Sequence, residues 1–425
     1  MDEWRTMSLR SAGVVLIDCV HSTPAAVVDG YPYVAIPQMK NGRIDSKSAR
    51  RISRADFLEW TRKARPQLHD VVLSRRTNPG VTATFGDQCD FALGQNLVLL
   101  RADGTQVLPE FLRWLVVSPA WWGQIEKFNN VGAIFDSLKC ADVPRFELPI
   151  PPRSVQRSVS DVLKALDDKV ELNHRMNETL DATARAIFKD WFVDFGPTRA
   201  KMAGQAPYHA PEIWALFPDR LDKEGKPEGW TTEPLDDIAD FLNGIALQKY
   251  GATGHVSLPV IKIAQLRSGN TRSADKASTN VPNEYVVEDG DVLFSWSGSL
   301  MHRVWTSGRG ALNQHLFKVT SQNFQKWFFF YWIDRHMPTF RAVAAAKATT
   351  MGHIQRHHLS QASVNVGSPE VMAAASSLIG PLFELGVAND LEARSLAITR
   401  DLLLPKLVSG EVRVKDVEKI LGEVS

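Results

Sequence analysis

Short apolar runs separated by polar turns fill the first hundred residues. "YPYVAI" (31–36), "HDVVLS" (69–74) and "NLVLL" (96–100) are rich in β-branched side chains and bounded by polar turn residues. That pattern predicts strands. "PEFLRWLVVS" (109–118) then spaces its apolar residues three and four apart, which predicts an amphipathic helix. The same order returns later in the chain. "LPVIKI" (258–263), "GDVLFS" (290–295) and "NQHLFKV" (313–319) are followed by the helical "QKWFFFYWIDRH" (325–336).

The second set is a copy of the first. Ile36 falls on Ile263, Gln38 on Gln265 and Gly42 on Gly269. "HDVVLS" falls on "GDVLFS", "GQNLVLL" on "NQHLFKV" and "EFLRWLVVS" on "KWFFFYWID". The offset drifts in the early pairs and is constant from about residue 110, where Val155 falls on Val371 and Asn173 on Asn389. Each half is therefore a mixed α/β unit followed by one long helix. The aromatic cluster Trp327, Phe328, Phe330, Tyr331 and Trp332 is dense enough to fill a core, with a base-stacking platform as the alternative.

The long helices carry a seven-residue stripe. Val159, Leu166, Asn173, Leu180 and Ile187 share one phase, with Val162, Met176 and Thr183 beside them and Lys169 and Asp190 interrupting. In the second copy the stripe is Ala375, Leu382, Asn389, Leu396 and Leu403. An asparagine at the centre of each stripe lowers stability but sets register, because a slipped pairing strands its amide. The predicted arrangement is two long helices packed antiparallel, with Asn173 and Asn389 meeting where they cross, Val159 approaching Leu403 and Ile187 approaching Ala375. In the opposing arrangement, each helix packs only on its own unit and its asparagine faces solvent.

These elements divide the chain into a first unit at 1–150, a central long helix at 151–197, a linker at 198–230, a second unit at 231–368 and a C-terminal long helix with its tail at 369–425. Adjacent prolines in "LPIPPRS" (148–154) end a strand and precede the central helix. The linker, rich in Pro, Gly and charge, predicts an ordered but irregular crossover. The fold class is α+β, with an internal pseudo-two-fold repeat.

Composition narrows the chemistry. A net charge of +1 provides no global field toward nucleic acid. Three widely spaced cysteines, Cys19, Cys89 and Cys140, form no CxxC pair and suit a reduced cytoplasm. "MDEWRTMSLRSAG" carries no signal-peptide core, and "AAASSLIGPLFELGVA", interrupted by Glu384, reads as a buried helix rather than a membrane span. The sequence contains no GxxxxGK[ST] phosphate loop, glycine-rich adenosylmethionine loop or Asn-Pro-Pro-aromatic motif. Asp219 with Glu224 and Lys226 has the residue types of a metal-dependent nuclease, but at short spacing in a linker where such residues are expected. His353, His357 and His358 lack partners at metal spacing, so neither a metal nor another cofactor is expected.

The basic residues concentrate locally. Between Lys40 and Arg76 there are eleven Lys/Arg against four Asp/Glu, a patch able to neutralise phosphates. Turns after predicted strands supply the candidate DNA contacts: Gln38, Lys40 and Arg43 around "KNGR", and Arg75, Arg76 and Thr77 in "SRRTNPG". The counterparts are Gln265, Arg267 and Arg272 in "QLRSGNTR", Ser297, His302 and Arg303 in "SWSGSLMHR", and His353 and Arg356 in "GHIQRHH". Arg and Lys match guanine edges, and Gln and Asn match adenine edges. A coiled-coil scaffold with two protein-binding domains is the competing class, and a salt-dependent shift of DNA mobility separates the two.

Several stretches resemble one family. "LNHRMNETLDATARAIFKDWFVDF" (172–195) and "LPIPPRSVQRSV" resemble the central conserved region of specificity subunits of type I restriction-modification enzymes. "FPDRLDKEGKPEGW" resembles the segment leading into their second target recognition domain, and "TRDLLLPKLVSGEV" (399–412) their C-terminal conserved region. The second copy departs from the Pro-rich pattern, with Asn365 and Gly367 in place of Pro149 and Pro151. The resemblance implies a non-catalytic subunit with two target recognition domains, each reading one half of a bipartite, asymmetric site in double-stranded DNA. It implies docking of two methyltransferase subunits for adenine methylation. An ATP-dependent restriction subunit with motor and nuclease activity is the further partner, and no membrane is involved.

Overall fold

The computed structural model describes residues 4–128, 137–252, 256–346 and 352–416. The chain forms two compact units, Met1–Asp168 with Ala397–Ser425, and Lys169–Leu396. Each long helix thus contributes to both units.

The first unit is built on β1 (Arg5–Ser8), β2 (Val14–Asp18), β3 (Tyr31–Val34), β4 (Met39–Lys40), β5 (Arg43–Ile44), β6 (Arg50–Ile52), β7 (Val71–Ser74), β8 (Thr82–Ala83), β9 (Ala92–Leu93), β10 (Leu97–Ala102) and β11 (Glu147–Ile150). Its main sheet has the order β2-β10-β7-β8, with Val98 opposite Leu73 and Leu100 opposite Val71. β7 and β10 read as continuous apolar runs because both faces are covered. Val71, Leu73, Val98 and Leu100 pack on Phe111, Leu112, Leu115 and Trp121, while Val72, Leu97 and Leu99 pack on Val34, Phe91 and Leu93. A smaller sheet, β6-β3-β9, contains a parallel pair, and β1 pairs with β11. "KNGR" is the tip of the hairpin β4-β5, and its Asn41 (φ 51°) and Gly42 (φ 74°) supply the two positive φ angles that a tight hairpin turn needs.

The second unit repeats this topology with β12 (Thr231–Pro234), β13 (Asp240–Asn243), β14 (Ser257–Ile261), β15 (Lys276–Ser278), β16 (Val286–Val287), β17 (Val292–Ser295), β18 (Met301–Val304), β19 (Gly310–Leu312), β20 (Leu316–Thr320) and β21 (Ser363–Val366). The main sheet is β13-β20-β17-β18, β14 and β19 form the parallel pair, and β12 pairs with β21. Thus the repeat extends from the strand sequences to their pairing. The aromatic run lies on the helix Lys326–Ala346, where Trp327, Phe328, Tyr331 and Trp332 are buried in the core. That leaves them no free faces for base stacking. Two segments read as turns are short helices. "QLRSGNTR" contributes to Ile263–Ser268, closed by Gly269 at φ 64°, and "GHIQRHH" to Arg356–Ser360.

The central helix runs from Arg153 to Phe188 and the C-terminal helix from Pro369 to Ser409. In the first unit Val159, Leu163, Leu407 and Val408 share one core with the half-buried Leu403. In the second unit Ala184 and Ala375 share a core with Ile187 packed against it. The interior phase of the central helix differs from the expected one beside the seven-residue stripe. Leu163, Asn177 and Ala184 lie inward or half-buried, and Thr183 and Lys169 are exposed. The stripe therefore advances by four residues and then three, which keeps Lys169 on the outside. The C-terminal helix is long and apolar enough, by length and composition, to cross a membrane. Its Val371, Ala375, Ile379 and Phe383 nevertheless pack into the second unit's core.

Asn173 and Asn389 both lie in the second unit and meet there. The Asn173 Nδ2 donates to the Asn389 carbonyl (3.3 Å) and to Glu392 Oε2 (2.7 Å). Asn389 Nδ2 donates to Asn177 Oδ1 (2.9 Å), and Asn177 Nδ2 to the Gly386 carbonyl and Asp390. The two amides do not bond each other symmetrically; Asn177, Asp390 and Glu392 complete the network.

Candidate nucleic-acid interface

In the first unit, β7 ends on a buried serine that shapes the following loop. Ser74 Oγ donates to the Arg76 carbonyl (2.9 Å), and the Arg75 N–H donates to the Asn96 carbonyl (2.9 Å). The Asn78 N–H closes a three-residue turn onto the Arg76 carbonyl (2.7 Å), with Thr77 at its tip at φ 66°. Beside this turn lies an open groove lined by Thr77, Gln95, Asn96, Gln38, Ser48 and Arg50. Gln95 Nε2 is held by Thr23 Oγ1 (2.9 Å). Beside Tyr33, Ile36, Pro37 and Leu97, the amides, hydroxyls and one guanidinium of the groove offer donor and acceptor types that base edges and phosphates can pair with.

The second unit places a different set on the same frame. Ser295, the counterpart of Ser74, is also buried and donates to the Ser299 carbonyl (2.6 Å). Setting Ser74 on Ser295 puts Thr77 on Gly298, which has φ 65°. Gln95 and Asn96 fall on Gln314 and His315. His315 Nδ1 lies 3.0 Å from Ser297 Oγ, and Trp296 Nε1 donates to Asn243 Oδ1 (2.9 Å). His353 pairs through its backbone with Ser297, and its ring meets that of Trp296 edge-on.

The candidate contacts sort into three groups. Arg76, Thr77, Arg267, Arg272 and Arg356 are exposed, with Arg267 hydrogen-bonded to Ser299 and Arg356 donating to the Phe241 carbonyl (3.1 Å). Lys40 is also exposed but paired with Asp45 (2.7 Å), and that hydrogen bond holds the Asp45 carboxyl down to about 2. Arg43, Arg75, Arg303, His353 and Gln38 are half-buried. Arg43 leans toward Asp167 (3.8 Å), and Arg303 donates to the Leu266 carbonyl (3.5 Å). Arg75 points inward beside Cys19 and Cys140, and its Nε is buried without a hydrogen-bond partner.

The third group is buried. Gln265 accepts from the Lys262 N–H (3.3 Å), as Gln38 accepts from the Ala35 N–H (3.1 Å). The repeated glutamine is therefore a backbone cap, and in the second unit its side chain is too buried to meet a base. Ser297 is buried and bound to His315. The His302 ring lies in the second unit's interior beside Phe330 and 3.5 Å from Asp334. Burial pushes its pKa down to about 4. His302 is thus placed as a core residue, because its β18 position faces the Lys326–Ala346 helix.

Sequence reasoning missed Gln95, Asn96, Trp296, Gln314 and His315. The sequence does carry a signal: polar pairs, Gln95-Asn96 and Gln314-His315, precede the same strand in both copies. Among possible metal donors, Asp18, Cys19 and His21 gather within 4.8 Å of one another. They satisfy each other or the backbone, with His21 on Asp18 (3.0 Å) and Cys19 on the Gly94 carbonyl (3.2 Å). Burial pushes the Cys19 thiol up to about 11, which keeps it a neutral thiol. In the linker, Lys226 is engaged by Asp222 (2.8 Å) and Glu224, so two of the three nuclease-like residues form an internal ion-pair cluster that does not include Asp219.

The structure thus holds two copies of one α+β frame, each with a different polar face at the same loop. The family described as the type I restriction modification DNA specificity domain matches residues 22–182 and 227–368. The chain belongs to that family, as a specificity subunit that confers DNA sequence specificity. It is 26% identical over 334 residues to the type I restriction enzyme MjaIX specificity subunit of Methanocaldococcus jannaschii, covering 75% of this chain and 72% of that one. It is 24% identical over 380 residues to the HindI specificity subunit of Haemophilus influenzae, covering 77% and 82%. The crystal structure of the type I restriction-modification S subunit from M. genitalium shares the fold, with a TM-score of 0.53, 14% identity and coverage of 95% and 96%.

Proposed function

We propose that this chain is the non-catalytic DNA-reading subunit of a type I restriction-modification complex in the cytoplasm. It reads a bipartite, asymmetric site, one half through residues 1–150 and the other through 231–368. The observation that supports this reading is the contrast between residues at equivalent positions of one repeated frame: Thr77, Gln95 and Asn96, which line the groove of one copy, and Gly298, Gln314 and His315 in the other. Equal frames with unlike faces suit two half-sites of different sequence.

The helices at 151–197 and 369–425 form an antiparallel coiled coil that sets the gap between half-sites and docks two methyltransferase subunits. The descending order of partners supports the antiparallel sense: Lys169 with Glu392, Asn173 with Asn389 and Asn177 with Gly386. Asn173 and Asn389 act as the register pair. Exposed leucines on the helices, Leu172 and Leu385 in the second unit and Leu402 in the first, supply apolar contact for partners. The assembled complex methylates adenine, and a motor subunit adds restriction. The methylome of a host expressing this chain with its cognate methyltransferase tests the reading. A two-part asymmetric motif is expected, and replacing residues 231–368 by a relative's changes one part only. Methyl transfer by the purified chain alone, or a change in both parts, contradicts it.

A further inference from the structure

One residue of the first groove is held at a backbone cost. Thr77 has φ 66°, a left-handed conformation that β-branched residues disfavour, at the centre of a turn closed by Asn78 onto Arg76. The counterpart loop has the same sign and size of φ but places a glycine there, Gly298. The frame therefore accommodates glycine at this position, and the threonine is not needed to make the turn. Its side chain is exposed at the groove wall beside Gln95 and Asn96, and its hydroxyl makes no hydrogen bond to the described residues. The Asn96 side chain likewise makes none, although it is half-buried. Gln95, by contrast, is tied to Thr23. An unbonded hydroxyl on a strained backbone and an unbonded amide stand together in a groove, where an outside partner can bond to both.

We propose that Thr77 and Asn96 are the base-reading pair of the first half-site, and that the strained Thr77 backbone is retained for recognition rather than for folding. This rests on the functional reading above. Asn96 offers the donor–acceptor pair that matches an adenine edge, and the Thr77 hydroxyl offers one further donor or acceptor to the adjacent base. In the second unit Gly298 offers no side chain at this position, and His315 and Trp296 are held by Ser297 and Asn243.

The test is selection of the full chain, with its methyltransferase subunits, on duplex DNA of randomised sequence, alongside thermal melting. Thr77→Gly should leave the melting temperature unchanged or raised, because glycine takes this φ without strain. It should relax one position of the first half-site by about fivefold or more and leave the second half-site as it was. Thr77→Ser should keep the motif, and Asn96→Ala should relax the neighbouring position. An unaltered motif in Thr77→Gly overturns the proposal. So does a lowered melting temperature, which would make Thr77 a structural residue, and so does relaxation in Thr77→Ser equal to that in Thr77→Gly. If the unsubstituted complex selects no motif, the functional reading itself fails, an outcome distinct from a motif that ignores Thr77.

Discussion

The same position of the repeat carries opposite chemistry in the two units. In the first, Asp167 is buried with Arg113 and with Arg400 (2.6 Å), and Arg43 lies 3.8 Å away. In the second, the position of Asp167 is taken by Phe383 and that of Arg113 by Phe329, both buried in an aromatic core. Phe383 packs edge-on against Phe330 and Tyr331. The strand frame is common to both units, so it does not require either solution. An ion cluster and an aromatic cluster fill equivalent space, as expected if burial and volume matter more than charge, provided that every charge is paired.

The largest expected effects test that equivalence. Asp167→Ala leaves the arginines without their shared carboxylate and should destabilise the first unit by about 3 kcal/mol, measured by denaturant unfolding. Phe383→Ala should cost the second unit about 3–5 kcal/mol through loss of packing. Raising salt should alter the first loss and leave the second nearly constant. Equal salt response would remove the distinction.

The next effect is confined to the second unit. His302 is buried, and its pKa is pushed down to about 4 from an ordinary 6.5 by burial, despite Asp334, with Arg185 and Arg341 adding to the fall and Asp181 opposing it. The unfolded chain therefore takes up a proton between these values when the folded chain does not. Stability is complete above about pH 6.5 and falls as pH drops toward 4, by up to about 3 kcal/mol. His302→Phe should flatten that slope. Thr82, its topological counterpart in β8, does not titrate, so this position of the first unit should contribute no such pH dependence.

Smaller effects separate paired residues. Asn389→Leu removes a bond from Asn177 and should cost about 1 kcal/mol. Asn173→Leu should cost at least as much, because it removes the donations to the Asn389 carbonyl and to Glu392 Oε2, although Asn173 Oδ1 itself has no partner among the described residues. The smallest effect distinguishes adjacent arginines. Arg76→Ala should lower the slope of log affinity against log salt by about 0.9 on DNA of any sequence. Arg75→Ala should leave that slope unchanged, because its side chain turns inward beside Cys19 and Cys140.

The repeat, the strand runs, the start of the central helix after Pro151 and Pro152, and the two buried asparagines were legible in the chain. Each depends on spacing or on local backbone preference, and two copies allow one to check the other. Gln265 and His302 were less legible. A glutamine beside a turn reads as a reader of bases, and only its bond to the Lys262 N–H makes it a cap. A histidine after a loop reads as exposed, and only the packing of β18 on the Lys326–Ala346 helix buries it.

Local pattern by itself determined the elements, their order and their duplication, because periodicity and turn chemistry act over a few residues. Tertiary structure alone decided which polar groups remain available to a ligand. Arg43 leans toward Asp167, Arg356 donates to the Phe241 carbonyl, and the Asn96 side chain makes no bond within the described residues although it neighbours the tethered Gln95. A polar side chain's role depends on whether the fold brings it a partner, and most of these partners come from distant parts of the chain.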